Sequence, residues 1–485
     1  MRLATNSFYS LLGSAVPLLL SVLTVPLFVE QIGMERYGAL ALAWLFLTYF
    51  GNADFGFGRS VTQRLASTIG RGDADRAANI VWTAIVTIAG FGILLALLLY
   101  VAARTYFAGP FDAAPDISAE MLAAVWLLAL GSPIVALSGV LGGALMGIER
   151  FRLVASSAII ANSGALLFPL AIAYLYSVDL RWLILATLAA RLLGLLLLAS
   201  GVWQTFLRRA VPRFSVEEFR KLASYGAWIM VTAIVGPLMV AGDRMVIGAV
   251  LGAAAVAAYA IPFQIASRTL SLPIAIVQAL FPRFASEDGE ASRARCGTFT
   301  IVVAQIYTPL VIGLILLAGP LLSLWLGDNL DERSILVGQI LMAGFWTNAL
   351  ANVPYAYIQA RGQPRFTALL HLAELPFYIA LLFGLGATFG LAGIAAAFAL
   401  RCGIDMLALM TKAGAMGIDI WRKVAVQMAL VLAALMLAHS IMSWAWLATS
   451  ALALAALSLT ATAWQMPPEI KAQLRVLLAR FRKAA

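Results

Sequence analysis

The stretch Ile80–Ala103 has the sequence IVWTAIVTIAGFGILLALLLYVAA, 24 consecutive residues without a charged side chain. About 20 apolar residues are enough for an α-helix to cross the hydrocarbon core of a bilayer. Stretches of this kind recur from one end of the chain to the other. They lack the period of two that is typical of a membrane β-barrel strand. The pattern predicts an all-α polytopic membrane protein.

The composition supports this prediction. Of the 485 residues, 62% are hydrophobic and 12% are charged, whereas soluble proteins carry roughly 25% charged and 45–50% apolar residues. Soluble enzymes, disordered proteins and collagen-like fibres are therefore excluded. The net charge of +10 is expected to collect in cytoplasmic loops, so no nucleic acid is expected as a partner. Cys296 and Cys402 lie far apart in the sequence, which favours neither a disulfide nor a metal site.

Hydropathy and length together predict 14 transmembrane helices. With a cytoplasmic N-terminus, the inside segments hold 24 Lys and Arg residues and the outside segments hold four. This asymmetry predicts that both termini are cytoplasmic, because basic residues favour the inside and an even number of spans returns the chain there. The predicted spans are Phe8–Val29, Ala39–Gly58, Ile80–Ala103, Met121–Gly147, Val154–Tyr176, Trp182–Phe206, Ala223–Val250, Ala255–Phe281, Phe299–Leu326, Leu336–Gln359, Phe366–Leu385, Ala392–Met410, Val424–Ile441 and Trp446–Trp464.

The chain also contains a weak internal repeat. A shift of 219 positions places Gly33 on Gly252 and aligns QRLAS (63–67) with PRFAS (282–286). The repeat predicts two parallel six-helix lobes with the substrate between them. The predicted domains are an N-terminal lobe (1–210), a C-terminal lobe (211–415), two extra spans (416–465) and a basic amphipathic tail on the membrane surface (466–485).

The first two spans carry a recognisable set of residues: Pro26, Ile32-Gly33, Glu35-Arg36-Tyr37-Gly38, Phe50-Gly51 and Asp54-Phe55-Gly56-Phe57-Gly58-Arg59. This stretch resembles the polysaccharide-type flippases, such as the Wzx-like O-antigen transporters, of the multidrug/oligosaccharidyl-lipid/polysaccharide exporter superfamily. The resemblance implies a multi-pass protein of the bacterial inner membrane. It also implies the function: flipping an undecaprenyl-diphosphate-linked oligosaccharide from the cytoplasmic to the outer leaflet by alternating access.

Four arginines fall within the predicted spans and a fifth, Arg59, directly follows the second, although each charge costs roughly 2.5–3.5 kcal/mol at the centre of a membrane. Guanidinium groups bind phosphate oxygens in bidentate fashion, so these arginines are predicted to bind the anionic headgroup in a cationic cavity between the lobes. Arg401 and Asp405 are also spaced to neutralise each other on one helix, and Arg59 is close enough to the inner boundary to snorkel. The predicted substrate-binding residues are Arg191, Arg268, Arg401, Arg59 and Arg244.

The remaining ionisable groups in the spans are candidates for coupling transport to Na⁺ or H⁺. His371 and Glu374 have the i,i+3 spacing and are suited to carrying a proton, although a hydrogen-bonded helix contact explains them equally well. No nucleotide-binding loop is present, and no cofactor, metal or catalytic residue is expected. Trp346, Asn348, Asn352 and Tyr355 are predicted to contact sugar. The ion-coupling candidates are Asp54, Asp243, Glu374, His371 and Asp405.

Two other functions compete with a flippase. A multidrug cation antiporter of the same superfamily needs a net acidic site, whereas these five arginines and the four acids of the spans leave a net positive charge. A membrane glycosyltransferase needs a substantial external region, and the longest predicted outside loop, Arg104–Glu120, is short. We therefore predict a transporter and not an enzyme. Its expected partners are a lipid-linked oligosaccharide and membrane lipids, and a monomer is expected.

Overall fold

The structure is a computed structural model and describes residues 2–50, 57–69, 73–208, 213–220, 239, 241–286, 289–415, 417–440 and 443–465. Within these ranges the regular elements are helices, and no strand occurs. The predicted all-α polytopic fold is confirmed. The predicted tail, 466–485, lies outside the described residues.

Most of the described helices overlap a predicted span, but the helix Phe57–Ile69 lies almost entirely after the second predicted span, and the helices Ala253–Thr269 and Ser271–Ser286 divide the eighth. Short π-helical turns, Phe46–Phe50 and Trp203–Leu207, follow the first and the sixth helix. The helices are α1 (Arg2–Leu45), α2 (Phe57–Ile69), α3 (Ala74–Ala108), α4 (Pro115–Met146), α5 (Phe151–Leu175), α6 (Leu180–Val202), α7 (241–250), α8 (Ala253–Thr269), α9 (Ser271–Ser286), α10 (Gly289–Leu316), α11 (Ala318–Leu326), α12 (Arg333–Ala360), α13 (Pro364–Ala413), α14 (Ile418–Ala438) and α15 (Trp444–Gln465).

The described residues contain 11 helices that are long and apolar enough to cross a membrane. Two of them include a glycine outside helical geometry: Gly33 (φ 78°, ψ 164°) in α1 and Gly390 (φ 58°, ψ −137°) in α13. Each glycine separates two consecutive predicted spans. The seventh predicted span, Ala223–Val250, falls largely outside the described residues, so the count of 14 stays a prediction.

Several predicted boundaries need correction. Because α3 ends at Ala108 and α4 begins at Pro115, the loop expected over Arg104–Glu120 is reduced to 109–114. The predicted ninth span is replaced by α10, which starts ten residues earlier at Gly289, and by the separate helix α11. Hydropathy marks only the part of a helix that matches the hydrocarbon core, and a helix continues through charged residues wherever its backbone hydrogen bonds remain satisfied.

The chain forms two compact units, Met1–Ala260 and Ile261–Ala485. In the first unit, Phe57 and Leu65 of α2 pack with Ile80 of α3 and Val140 of α4 in one buried cluster. In the second unit, α12 packs along α13, while α14 and α15 pack on α10. The boundaries predicted at residues 210, 415 and 465 come from the repeat and the hydropathy, and they stay predictions.

The residues that carry the family resemblance connect α1 to α4. Glu35 Oε1 accepts a hydrogen bond of 2.7 Å from the Ala114 N–H. Arg36 Nη2 lies 2.7 Å from Asp116 Oδ2 and 2.9 Å from Glu120 Oε1. The pattern Glu35-Arg36 therefore fixes one end of the helix bundle in the first unit.

The repeat predicted from sequence recurs in the backbone of the first unit. Gly33 and Gly252 both have positive φ, 78° and 86°. Five residues after Gly33, a Cβ at Gly38 would lie 1.8 Å from the carbonyl oxygen of Ala253 and 3.1 Å from the amide nitrogen of Ala257. Ala257 is itself 219 positions after Gly38. The repeat-related helices α1 and α8 thus cross where only glycine permits contact between their backbones.

Candidate functional site

The first unit holds one of the predicted arginines inside the bundle. Arg191 lies in the middle of α6, is half-buried, and donates from Nη2 to Thr48 Oγ1 at 3.3 Å. Thr48 lies in the π-helical turn that follows α1. Among the described residues, no carboxylate oxygen lies within 4.0 Å of the Arg191 guanidinium. The arginine therefore keeps its positive charge without an acidic partner in this part of the chain.

A small cavity of about 150 Å³ lies between α12 and α13 in the second unit. A single water molecule needs only about 10–15 Å³ by the same measure, so this cavity has room for several waters or a small anion. Its walls combine amide, imidazole, guanidinium and carboxylate groups. The lining residues are Asn348, Ala351, Asn352, Tyr355, His371, Arg401, Asp405 and Leu409.

Three of the predicted ion-coupling residues lie together here: His371 and Asp405 line the cavity, and Glu374 lies beside them. His371 Nε2 lies 3.6 Å from Asp405 Oδ1, and its ring stacks on Tyr355 with the two centroids 5.9 Å apart. One ligand atom from each of His371, Glu374 and Asp405 lies within 4.8 Å of the other two. This spacing suits a proton shared between the groups or a small cation. Glu374 is 6% exposed, and neither of its carboxylate oxygens has a hydrogen-bond partner among the described residues.

Arg401 shares the cavity but does not pair with its helical neighbour. Its guanidinium carbon lies 5.6 Å from the ring centroid of Tyr378, and the side chain is 8% exposed. Within the described ranges, no ion pair of 4.0 Å or less joins Arg401 to Asp405 or to Glu374. The Nε atom has no hydrogen-bond partner there. The alternative in which Arg401 and Asp405 neutralise each other directly is thus not the observed geometry.

The other predicted residues lie elsewhere. Asp243 and Arg244 on α7 are buried in the first unit, where Tyr259 donates a 2.7 Å hydrogen bond to Asp243 Oδ2 and Arg244 lies 5.9 Å from the Tyr259 ring centroid. Arg268 is exposed in the last turn of α8. Arg59 belongs to α2, but its side chain is not described, and Asp54 lies outside the described residues.

Sequence reasoning missed two contacts and misplaced a third. Thr48, the partner of Arg191, is a hydroxyl in an apolar run and gives no signal of its own. Tyr378 follows His371 and Glu374 at i+7 and i+4, a helical spacing that does place it on their face. Trp346, predicted to contact sugar, is instead buried and donates a 2.8 Å hydrogen bond to Thr308. An indole N–H inside a bundle needs an acceptor, and a neighbouring helix supplies it.

Comparisons with known proteins give concordant results. The sequence model of the polysaccharide biosynthesis protein family matches residues 3–287. A candidate O-antigen transporter of Shigella flexneri is 30% identical over 413 residues, which is 84% of this chain and 97% of that protein.

Among solved structures, the lipid II flippase MurJ in an inward closed conformation is similar with a TM-score of 0.69 and 14% identity, covering 94% of this chain and 97% of MurJ. An inward-facing multidrug resistance MATE family transporter of the MOP superfamily is similar with a TM-score of 0.68 and 15% identity, covering 85% of this chain and 98% of that one. At such identities these two similarities establish the fold alone. The chain therefore has the fold of MOP superfamily transporters.

Proposed function

The chain belongs to the polysaccharide biosynthesis protein family, and from this membership we propose that it flips an undecaprenyl-diphosphate-linked oligosaccharide across the bacterial inner membrane by alternating access. The matched proteins are transporters and flippases, not enzymes. In this proposal the anionic headgroup passes from the cytoplasmic to the outer leaflet through a cationic pathway. Both termini lie in the cytoplasm, as the distribution of Lys and Arg predicts.

One observation carries the proposal: each unit holds an arginine inside a predicted span with no carboxylate oxygen within 4.0 Å among the described residues, Arg191 in the first and Arg401 in the second. A charge kept in a span at a cost of roughly 2.5–3.5 kcal/mol indicates a ligand or a water-filled cavity. A planar guanidinium is suited to the oxygens of a diphosphate. Arg59, Arg244 and Arg268 complete the proposed set of substrate-binding residues.

The cluster of His371, Glu374 and Asp405 is the proposed site of coupling to Na⁺ or H⁺. It combines an imidazole with two carboxylates, and its residues His371 and Asp405 line the cavity. Asp243 and Asp54 remain in the proposal as further coupling candidates. No nucleotide or resident metal takes part.

The test is transport in proteoliposomes with a fluorescent undecaprenyl-diphosphate sugar. Wild type is expected to expose the sugar at the opposite leaflet. Arg191→Gln and Arg401→Gln are expected to flip it at least about tenfold more slowly, since a charge-assisted hydrogen bond contributes about 1.5–3 kcal/mol. The matched control is Arg104→Gln, because Arg104 is exposed at the end of α3. Its transport should equal that of wild type.

Two results would contradict the proposal. If both arginine variants transport the lipid-linked sugar as fast as wild type, the proposed cationic pathway is contradicted. Export of a cationic dye, with no transport of the lipid-linked sugar, would favour the multidrug antiporter instead, whose fold the chain also shares.

A further inference from the structure

The break at Gly390 brings two parts of α13 side by side in the second unit. His371, Glu374 and Tyr378 come from the part before the break, and Arg401 and Asp405 come from the part after it. The exposed fractions of Glu374, Arg401 and Asp405 are 6%, 8% and 4%. A guanidinium and two carboxylates therefore share one buried environment next to the cavity.

Few other ionisable groups face this cluster. Among the described helices, α12 makes the most extensive contact with α13, and it carries no Asp, Glu, Lys, Arg or His after Arg333. The titratable side chain of α12 at the cavity is Tyr355. Phe263 of α8 also touches Phe398 of α13, and the charged residue of α8 is Arg268 in its last turn. On α13 itself, Tyr378 and the buried Cys402 accompany His371, Glu374, Arg401 and Asp405. The charge of the site thus depends on two carboxylates, one imidazole and one guanidinium.

The charge balance decides whether Arg401 attracts an anion. With both carboxylates ionised and His371 neutral, the site has one net negative charge and repels a diphosphate. Two carboxylates within 4.8 Å of each other repel each other and also repel an anion bound at Arg401, and a proton that joins the site removes one of these negative charges. One proton makes the site neutral, and a second on His371 makes it positive.

We propose that this cavity binds a diphosphate group and a proton together, with Arg401 contacting the phosphate oxygens once the pair of Glu374 and Asp405 holds a proton. The inference rests on the proposed function and specifies how its coupling site and one of its arginines act. It also fixes the sign of the coupling: the proton and the anion bind cooperatively and do not exchange for one another. Linkage is reciprocal: the bound diphosphate must raise the affinity for the proton by the same factor by which the proton raises the affinity for the diphosphate.

The experiment is isothermal titration calorimetry of the purified full-length protein in detergent with farnesyl diphosphate. Buffers of different ionisation enthalpy report the number of protons exchanged. Over about pH 6 to 8, the Kd of wild type is expected to rise up to about tenfold per pH unit with proton uptake, which corresponds to one linked proton.

The variants distinguish proton uptake by the cluster from proton uptake by the probe itself. Farnesyl diphosphate also binds protons, but it does so equally with every variant. The proton linkage of the cluster is therefore the difference in the pH dependence of Kd between wild type and Glu374→Gln or Asp405→Asn. Both variants are expected to bind the probe with the pH dependence greatly reduced. Asp419→Asn removes an exposed acid and should retain the wild-type linkage. Arg401→Gln should lose binding at this site, and Arg401→Lys, which keeps the charge, should bind more weakly with the linkage intact.

Three results would overturn the inference: proton release on binding, an equal pH dependence in wild type and Glu374→Gln, or wild-type affinity in Arg401→Gln. Inorganic pyrophosphate is expected to show the same linkage, and a linkage confined to the farnesyl ester would also contradict it. Because calorimetry measures binding and not transport, it tests this inference independently of the proposed flippase function. Normal flipping with pH-independent binding would refute only this inference, whereas proton-linked binding without flipping would refute only the proposed function.

Discussion

Inside the helix bundle, the behaviour of a charged side chain depends on its neighbours within a few ångströms. Arg191 has a hydroxyl acceptor, Thr48 Oγ1, at 3.3 Å, and its Nε has no partner among the described residues. Arg401 lies against the face of Tyr378, whose negative π-face attracts a cation. Both contacts hold the guanidinium in place without neutralising it. Each arginine therefore retains the capacity to bind an anion.

The hydroxyl of Thr48 provides a test at this scale. Thr48→Val is expected to lower the free energy of unfolding by about 1–3 kcal/mol, because a donor of Arg191 then loses its acceptor. It should also slow flipping, since the guanidinium is no longer held in place. Thermal unfolding in detergent and the proteoliposome assay measure the two effects.

The matched control is Thr105→Val. Thr105 is exposed, and its hydroxyl donates only to the Val101 carbonyl of its own helix. A Thr48→Val protein as stable and as active as the control would show that the hydrogen bond to Arg191 has no role.

Between elements, the close approach of backbones matters more than side-chain chemistry. At Gly38, a Cβ would lie 1.8 Å from the Ala253 carbonyl oxygen, so Gly38→Ala has to separate α1 from α8. We expect a loss of at least about 3 kcal/mol of stability, the upper part of the range for overpacking, because backbone atoms cannot rotate away. The melting temperature in detergent measures the loss.

The control for this prediction is Gly90→Ala. Gly90 is an exposed glycine within α3, and a Cβ there would meet nothing within 4 Å. Alanine should stabilise that helix by up to about 1 kcal/mol. Equal effects of the two substitutions would show that the α1–α8 contact does not require glycine.

The ion pairs of Arg36 offer a second test between elements. Arg36 lies 2.9 Å from Glu120 Oε1 on α4, and its side chain is 25% exposed. A double-mutant cycle with Arg36→Ala and Glu120→Gln is expected to give a coupling energy of up to about 1 kcal/mol, because partial exposure to solvent screens the pair. A coupling of zero would mean that the two side chains stabilise the fold independently.

For the whole molecule, the distribution of basic residues predicts the orientation in the membrane. Cys296 and Cys402 are both buried, so the natural cysteines should react slowly with a membrane-impermeant maleimide. Single cysteines at exposed positions then report the side. In intact cells Asp112→Cys and Asp328→Cys should be labelled, whereas Arg152→Cys and Gln363→Cys should be protected until the membrane is opened. The reverse pattern would place both termini outside.

The amino-acid sequence by itself determined the all-α polytopic fold, the approximate position of most spans and the repeat that relates Gly33 to Gly252. These features depend on local hydropathy and on backbone conformations that favour glycine, and both are properties of short stretches of chain. Even so, hydropathy misplaced the start of α10, because a helix continues beyond the hydrocarbon core.

Only the tertiary structure decided which charged groups meet. In the sequence, Asp405 is four residues from Arg401 and 34 from His371, yet it lies beside His371 while Arg401 lies on Tyr378. The turn at Gly390 and the rotation of each helix about its axis set these partners. The turn and the rotations result from packing between residues that are distant in sequence. A count of apolar residues along the chain contains no information about such packing.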